Sequence, residues 1–549
     1  MRLSRATRGG QTRPHAPRPR SRRSFGFRRG IAIAHRPMTR PPGTSLATAG
    51  PVHYTDGYKR GVTLLMMLAY TFNSAHRTLI AIIGQPMKVD LGLTDTQLGL
   101  LVGTAFAALY AVSGIPIARL SERFNRVTIM CAALTVWSGL TVLCGVATSY
   151  AQLLLFRVGV GVGEAGCSPP AHSLISDYVE PARRSTALSI YSCGISLGYI
   201  LSAVVGGYVA LHYGWRSACV VLGLPGIAVA VIIKRFVEEP PRGNAEPARE
   251  HARHRATAPA MRAAETRRFW LRTELAELAA VARALLLRWP VANVVIGVTV
   301  ATFASQGAWA FVPAFFSRAF RLDYATIGIV VALAGGLAVG LGLLAGGLVT
   351  DYLGARRARW YALVPGIGLA LCVPLYVLAF LLADWMVAAL VLGAAGFFQY
   401  LSFGPTFGIV QNAVGTRRRA TATALIYVLL NVIALGGGPP FTGWMIDRFA
   451  EFNYARSGAG TVGASFAAMR TAAPVAGTSF RSACAGGEPV VATARAACDA
   501  TLALASRQGI LITVLLYAWA SAHYLLGAIG LEAALRSGPP GAAERTRSP

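Results

Sequence analysis

The chain of 549 residues is 54% hydrophobic and only 14% charged, with a formal net charge of +29. A soluble globular chain carries about a quarter charged residues, so this composition excludes an ordinary soluble domain. The charge does not point to nucleic acid either, because much of it sits in a short tail and the rest in brief loops between apolar runs.

Residues 1–55 hold twelve arginines and no acid, with Pro, Gly and Ser between them, which predicts a disordered basic tail. Ser21-Arg22-Arg23-Ser24-Phe25 looks like a twin-arginine export signal, but no apolar stretch of export length follows it. Apolar runs of membrane-spanning length then recur near 61–85, 96–119, 127–147, 151–176, 185–211 and 215–235. Backbone groups in hydrocarbon must pair within their own segment, so these runs read as helices. A charged linker, 236–290, follows. Its end, Glu265 to Trp289, places Leu271, Leu275, Leu278, Ala282 and Leu285 at helical steps. That pattern suits a helix lying in the membrane surface or one packed under the bundle. Six more runs lie near 291–317, 325–350, 360–382, 386–412, 419–446 and 509–535, with a polar loop at 447–508 and a tail at 536–549. The expected fold is all-α and polytopic, with twelve transmembrane helices in two six-helix halves, 56–235 and 291–535. Parallel halves of this kind hold a substrate site near the midplane between them.

Short-loop positives mark the cytoplasmic side. Arg119, Arg123, Arg126, Arg183, Arg184, Lys234, Arg356, Arg357 and Arg418 fall on one side, against Lys88, Arg216, Arg318 and Arg321 on the other. Both termini are therefore expected in the cytoplasm of a bacterial cell, with the chain in the inner membrane.

Ionisable groups inside the membrane cost roughly 2.5–3.5 kcal/mol each, so they mark function by default. Arg157 and Glu164 on span 4 are seven residues apart, about 10 Å along one helical face, with Gly159, Gly161 and Gly163 between them. Span 1 carries Asn73, His76 and Arg77; Asn73 and Arg77 share a face and His76 points partly elsewhere. Arg157 and Arg77, with Asn73, are candidates for an anionic head group. Glu164 and His76 are candidates for a coupling proton, since His titrates near neutrality. A structural ion pair and a hydrogen-bonded core histidine are the plainer alternatives. The second half offers neutral candidates instead: Gln306, Trp309 and Asn431. One charged and one neutral aromatic wall favours an amphiphile with an ionised head.

Between spans 2 and 3 the chain reads Ala118-Arg119-Leu120-Ser121-Glu122-Arg123-Phe124-Asn125-Arg126. At the equivalent point of the second half it reads Gly347-Leu348-Val349-Thr350-Asp351-Tyr352-Leu353-Gly354-Ala355-Arg356-Arg357. Both resemble the loop signature of the major facilitator superfamily; Ala118, Asn125 and Tyr352 depart from it. A narrower resemblance is to the spinster-like branch, which includes lysolipid and sphingoid-phosphate exporters. It rests on Asp90 through Leu100, Gly114 through Arg119 and Arg157 through Leu174. The resemblance implies that Arg157 and Glu164 are polar cavity residues, and that an acidic proton-sensing residue precedes Arg77, where this chain has His76. It also implies a cytoplasmic gate built from Glu122, Arg123, Arg126, Asp177, Asp351, Arg356 and Arg357.

The reading is thus a secondary active transporter working by alternating access on an amphiphilic or organic anion, lysolipid-like and proton-coupled in one version. A transporter of non-lipid organic anions and a non-transporting membrane sensor are the alternatives. No enzyme motif, nucleotide loop or metal-ligand spacing stands out, so no cofactor and no metal are expected. The partners are a small-molecule or lipid-like substrate and membrane lipid, with a monomeric chain. Of eight cysteines, Cys484 and Cys498 alone lie in a polar loop. On the periplasmic side, where disulfides persist, they are expected to pair; two free thiols are the alternative.

Overall fold

The structure, a computed structural model, describes residues 52–242, 244–245, 278–414, 419–457, 479–484 and 495–536. It is helical, with no strand among the described residues.

Local chemistry sets the helix ends. Side chains of Thr55, Thr94, Asn125, Ser149, Asp323 and Asp384 each accept from a first-turn amide, satisfying donors that have no partner inside a helix. Gly92, at φ 64°, ends the helix Gly84–Leu91 in the left-handed region that favours glycine. Gly214, at φ 81°, separates two crossings within Gly207–Phe236.

Nine helices among the described residues are long and apolar enough to cross a membrane. One of them, Ile190–Phe236, holds two crossings, divided at Gly214. Two further crossings fall short of that test. Span 1, Asp56–Ile82, carries Asn73, His76 and Arg77, and span 4 is broken into Tyr150–Glu164 and Ser168–Tyr178. The total is consistent with twelve.

The two halves repeat one packing scheme. Spans 3–6, 3–4 and 2–4 pack in the first half, and 9–12, 9–10 and 8–10 pack in the second. Spans 2, 5, 8 and 11 form the seam between halves, and each departs from regular helix. Span 2 breaks at Gly103 between Asp95–Val102 and Thr104–Arg123. Spans 5, 8 and 11 contain π-helical turns at Ser202–Gly206, Ala332–Leu337 and Leu430–Leu435. Such turns concentrate where helices reshape around a site.

We call the end that carries the 236–290 linker the linker end, and the opposite one the disulfide end. At the disulfide end the structure corrects the expected loop 447–508. Span 11 continues to Ser457 as Gly436–Ser457, and span 12 starts early, as Arg495–Ala528, followed by Leu531–Arg536. Counting apolar residues finds only the part inside lipid, whereas these helices continue as amphipathic turns. Ile446, Ala450 and Tyr454 on one, and Cys498, Leu502 and Ala505 on the other, are buried. Cys498 therefore lies on a helix, and it is bonded to Cys484 with the two Cα atoms 5.8 Å apart.

The tail 1–51 and most of the expected surface helix lie outside the described residues. Where the linker is described, residues 278–286 are helical and bury Val281, Ala284 and Leu285 in the hydrophobic core. That stretch packs under the bundle, while Leu287 and Trp289 stay exposed.

Candidate functional site

Span 1 turns Arg77 inward, where its guanidinium meets Glu164 of span 4. Nε and Nη2 donate to the same carboxylate oxygen at 3.3 and 3.0 Å. The aromatic rings of span 2 complete the wall, with Phe106 4.4 Å and Tyr110 5.4 Å from the guanidinium. Glu164 is fully buried, whereas 33% of the Arg77 side chain stays accessible.

Glycine permits the approach. A Cβ on Gly161 would stand 2.5 Å from the Phe106 carbonyl oxygen, so span 4 can lie against span 2 only without one. Arg157, two turns below Glu164, is 1% exposed. Its Nε donates to the Leu101 carbonyl at 3.3 Å, beside the break in span 2, and its guanidinium lies 5.8 Å from the Phe106 ring. One terminal nitrogen of Arg157 and one oxygen of Glu164 are buried with no hydrogen-bond partner among the described residues. Two half-satisfied ionic groups so close together are costly, a pattern more typical of a working site than of a scaffold.

The other expected residues divide. Asn73 is buried on span 1. His76 is buried too, but its Nε2 donates to the Leu222 carbonyl of span 6 at 2.8 Å, away from Arg77 and Glu164. In the second half, Trp309 donates to the Tyr376 hydroxyl at 3.2 Å. Tyr376 donates to Gln399, and Gln399 donates to Ser305 at 2.7 Å, so Trp309 belongs to an internal network. Gln306 is half-buried. Asn431 sits in the π-helical turn of span 11 and donates to the Tyr427 carbonyl at 2.7 Å.

At the linker end, Arg126 is buried and holds Glu239 at 2.6 Å, Ser173 at 2.7 Å, the Pro240 carbonyl at 3.0 Å and Asp177. It straps the start of the linker onto the first half. Asp351 accepts from Tyr361 at 3.3 Å, and Arg356 donates to Tyr352 at 3.0 Å. Arg357 lines an open cleft of about 600 Å³ with Arg359, Leu363 and Leu525. The side chains of Glu122 and Arg123 lie outside the described residues.

Sequence reasoning missed the seam at the disulfide end. Asp95 of span 2 accepts from Lys88 at 2.7 Å and from Arg318 of span 7 at 2.6 Å. Arg318 also donates to Gln85 and Ser506, at 2.9 and 2.7 Å. Asp447 of span 11 accepts from the amides of Asp95 and Thr96, at 3.0 and 2.8 Å, and from the Thr96 hydroxyl at 2.5 Å. Burial pushes the Lys88 ammonium below the usual lysine range, and the Asp95 carboxylate pulls it back. In the sequence Lys88 and Arg318 read only as loop positives, because their placement just beyond apolar runs carries no sign of burial. Backbone contact reinforces the seam, since a Cβ on Gly328 would stand 2.1 Å from the Ala203 carbonyl oxygen. The two halves are thus clasped at the disulfide end.

Similarities to other proteins agree with this architecture. The family model of the Major Facilitator Superfamily matches residues 63–439. An MFS-type efflux pump of Mycolicibacterium smegmatis is 30% identical over 390 residues, 70% of this chain and 84% of its own. The hexuronate transporter of Bacillus subtilis is 24% identical over 426 residues, 76% of this chain and 96% of its own. A solved bacterial homologue of the human lysosomal transporter Spinster, in an inward-facing and unoccupied conformation, superposes with a TM-score of 0.71 at 28% identity. That match covers 88% of this chain and 99% of the other. The chain therefore belongs to the Major Facilitator Superfamily, as a spinster-like transporter with transmembrane helices.

Proposed function

We propose that this transporter is a secondary active carrier of an anionic organic solute with an apolar body, coupled to protons. The observation that carries the reading is the Arg77–Glu164 pair, with a third of its arginine side chain accessible and its carboxylate fully buried. An arriving anion competes with Glu164 for the Arg77 guanidinium. A buried carboxylate that loses its cation favours the proton, so binding anion and binding proton at this pair reinforce one another. The halves then exchange access to the site by rocking.

An apolar tail suits the aromatic rings of Phe106 and Tyr110 beside the guanidinium, which makes a lysolipid-like amphiphile the leading substrate class. Similarity over most of the chain to an efflux pump and a hexuronate transporter supports the second reading, a non-lipid organic anion. The protein works as a monomer in a bacterial inner membrane with both termini cytoplasmic; the linker end is then the cytoplasmic end.

The test is transport in proteoliposomes of a panel of lysophospholipids and of small organic anions, hexuronates among them. The reading predicts that the lysophospholipids move fastest. Movement of hexuronate alone would select the second reading, and movement of neither class would overturn both.

A further inference from the structure

The seam at the disulfide end places one carboxylate between two cations from different halves. Lys88 belongs to the same half as Asp95, seven residues away along the chain, and Arg318 to the other half. All three side chains are buried, at 1% accessible for Asp95, 3% for Lys88 and 4% for Arg318. Asp447 is a further charged group at the seam; it holds the first-turn amides of helix Asp95–Val102.

If the halves part here, the bonds divide by ownership. Arg318 gives up Asp95 and Gln85 and leaves with Ser506, its neighbour in the second half, while Asp95 keeps Lys88. A carboxylate stripped of every cation in a poorly hydrated crevice is strongly unfavourable, so a resident cation makes the parting reversible.

We infer that Lys88 and Arg318 act on Asp95 in opposite senses, Arg318 holding the seam shut and Lys88 allowing it to open. This rests on the alternating-access reading. With the seam shut, the two cations repel one another across the carboxylate they share. Removing Lys88 ends that repulsion and gives Asp95 wholly to Arg318. With the seam open, Lys88 is the partner Asp95 retains, so its loss penalises the open state. Both effects push Lys88→Gln toward the shut seam. Arg318→Gln removes a bond made only across the seam and leaves Asp95 paired, so it pushes toward the open one. A cluster that merely stabilised the fold would weaken in the same sense whichever cation was removed.

The test is hydrogen–deuterium exchange of residues 93–102, read by mass spectrometry on the full chain in lipid nanodiscs. The Asp95 and Thr96 amides are held by Asp447 across the seam, so they report its opening. Arg318→Gln should speed their exchange by about tenfold, and Lys88→Gln should slow it by a similar factor. The Lys88→Gln effect should vanish in an Asp95→Asn background. If Arg318→Gln does not fold, Arg318→Lys should give a smaller change of the same sign. Exchange in Lys88→Gln as fast as, or faster than, in the parent overturns the inference. Rocking is read separately: exchange in residues 168–178, at the linker end, should slow whenever the seam opens. Its failure to do so would count against alternating access and would leave the sign test at the seam intact.

Discussion

Arg77 and Glu164 meet at 3.0 Å from points 87 residues apart in the chain, and only the arginine keeps accessible surface. That asymmetry gives the pair a direction. A ligand can take the arginine, while the carboxylate can answer only by keeping or releasing a proton.

Arg77→Gln should abolish transport and also destabilise the protein, because it leaves Glu164 buried without a cation. Breaking a buried pair costs about 3–5 kcal/mol. Adding Glu164→Gln should restore most of the melting temperature without restoring transport. Thermal unfolding and proteoliposome uptake on the two variants check both halves of this expectation. Recovery of transport in the double variant would mean that the pair is structural.

Arg157 calls for a different substitution. It is 1% exposed and bonded to the Leu101 carbonyl, so truncation to Ala would open a cavity and confuse folding with function. Arg157→Met keeps most of the volume and removes a buried charge that has no ion-pair partner among the described residues, so it avoids stranding an opposite charge. We expect folded protein with transport reduced at least about tenfold, as for loss of a charge that binds the substrate. Unchanged uptake would remove Arg157 from the site.

Gly328→Val should force the seam between spans 5 and 8 apart, because even a Cβ there would meet the Ala203 carbonyl oxygen at 2.1 Å. The expected result is faster labelling of a cysteine introduced at the seam, such as Ala203→Cys, whose position is fully buried in the parent, in a background whose other free cysteines are removed. Labelling no faster than in the Gly328 parent would show that the helices yield without separating.

The Cys484–Cys498 bond should order the region between spans 11 and 12 and leave transport alone, since it lies far from Arg77. Loss of a fifteen-residue closed loop costs roughly 3 kcal/mol in the chain-entropy model. Non-reducing peptide mass spectrometry should find the linked pair. Substituting both residues by Ser should lower the melting temperature with uptake unchanged, and free thiols in protein purified without reductant would contradict the pairing.

The sequence displayed the fold wherever lipid dictates it, because apolar runs of spanning length and paired loop signatures are written in one dimension. It also displayed Arg77, Arg157 and Glu164, since charges within such runs stand out. It hid what depends on three dimensions. The outward turn of His76 toward Leu222 follows from the rotation of span 1. The burial of Lys88, Asp95 and Arg318 follows from the closure of one half on the other, which no local pattern records. The extension of spans 11 and 12 past their apolar runs does not show in the sequence, because apolar length marks the hydrophobic stretch and not the whole helix.

The central claim, that the Arg77–Glu164 pair couples anion movement to protons, is tested most directly by uptake of a labelled lysophospholipid into proteoliposomes, with and without an imposed pH gradient. The gradient should accelerate uptake by the parent protein. Glu164→Gln should still exchange substrate across the membrane but no longer respond to the gradient. A parent rate that is the same with and without the gradient, or a Glu164→Gln variant that responds as the parent does, would contradict that claim.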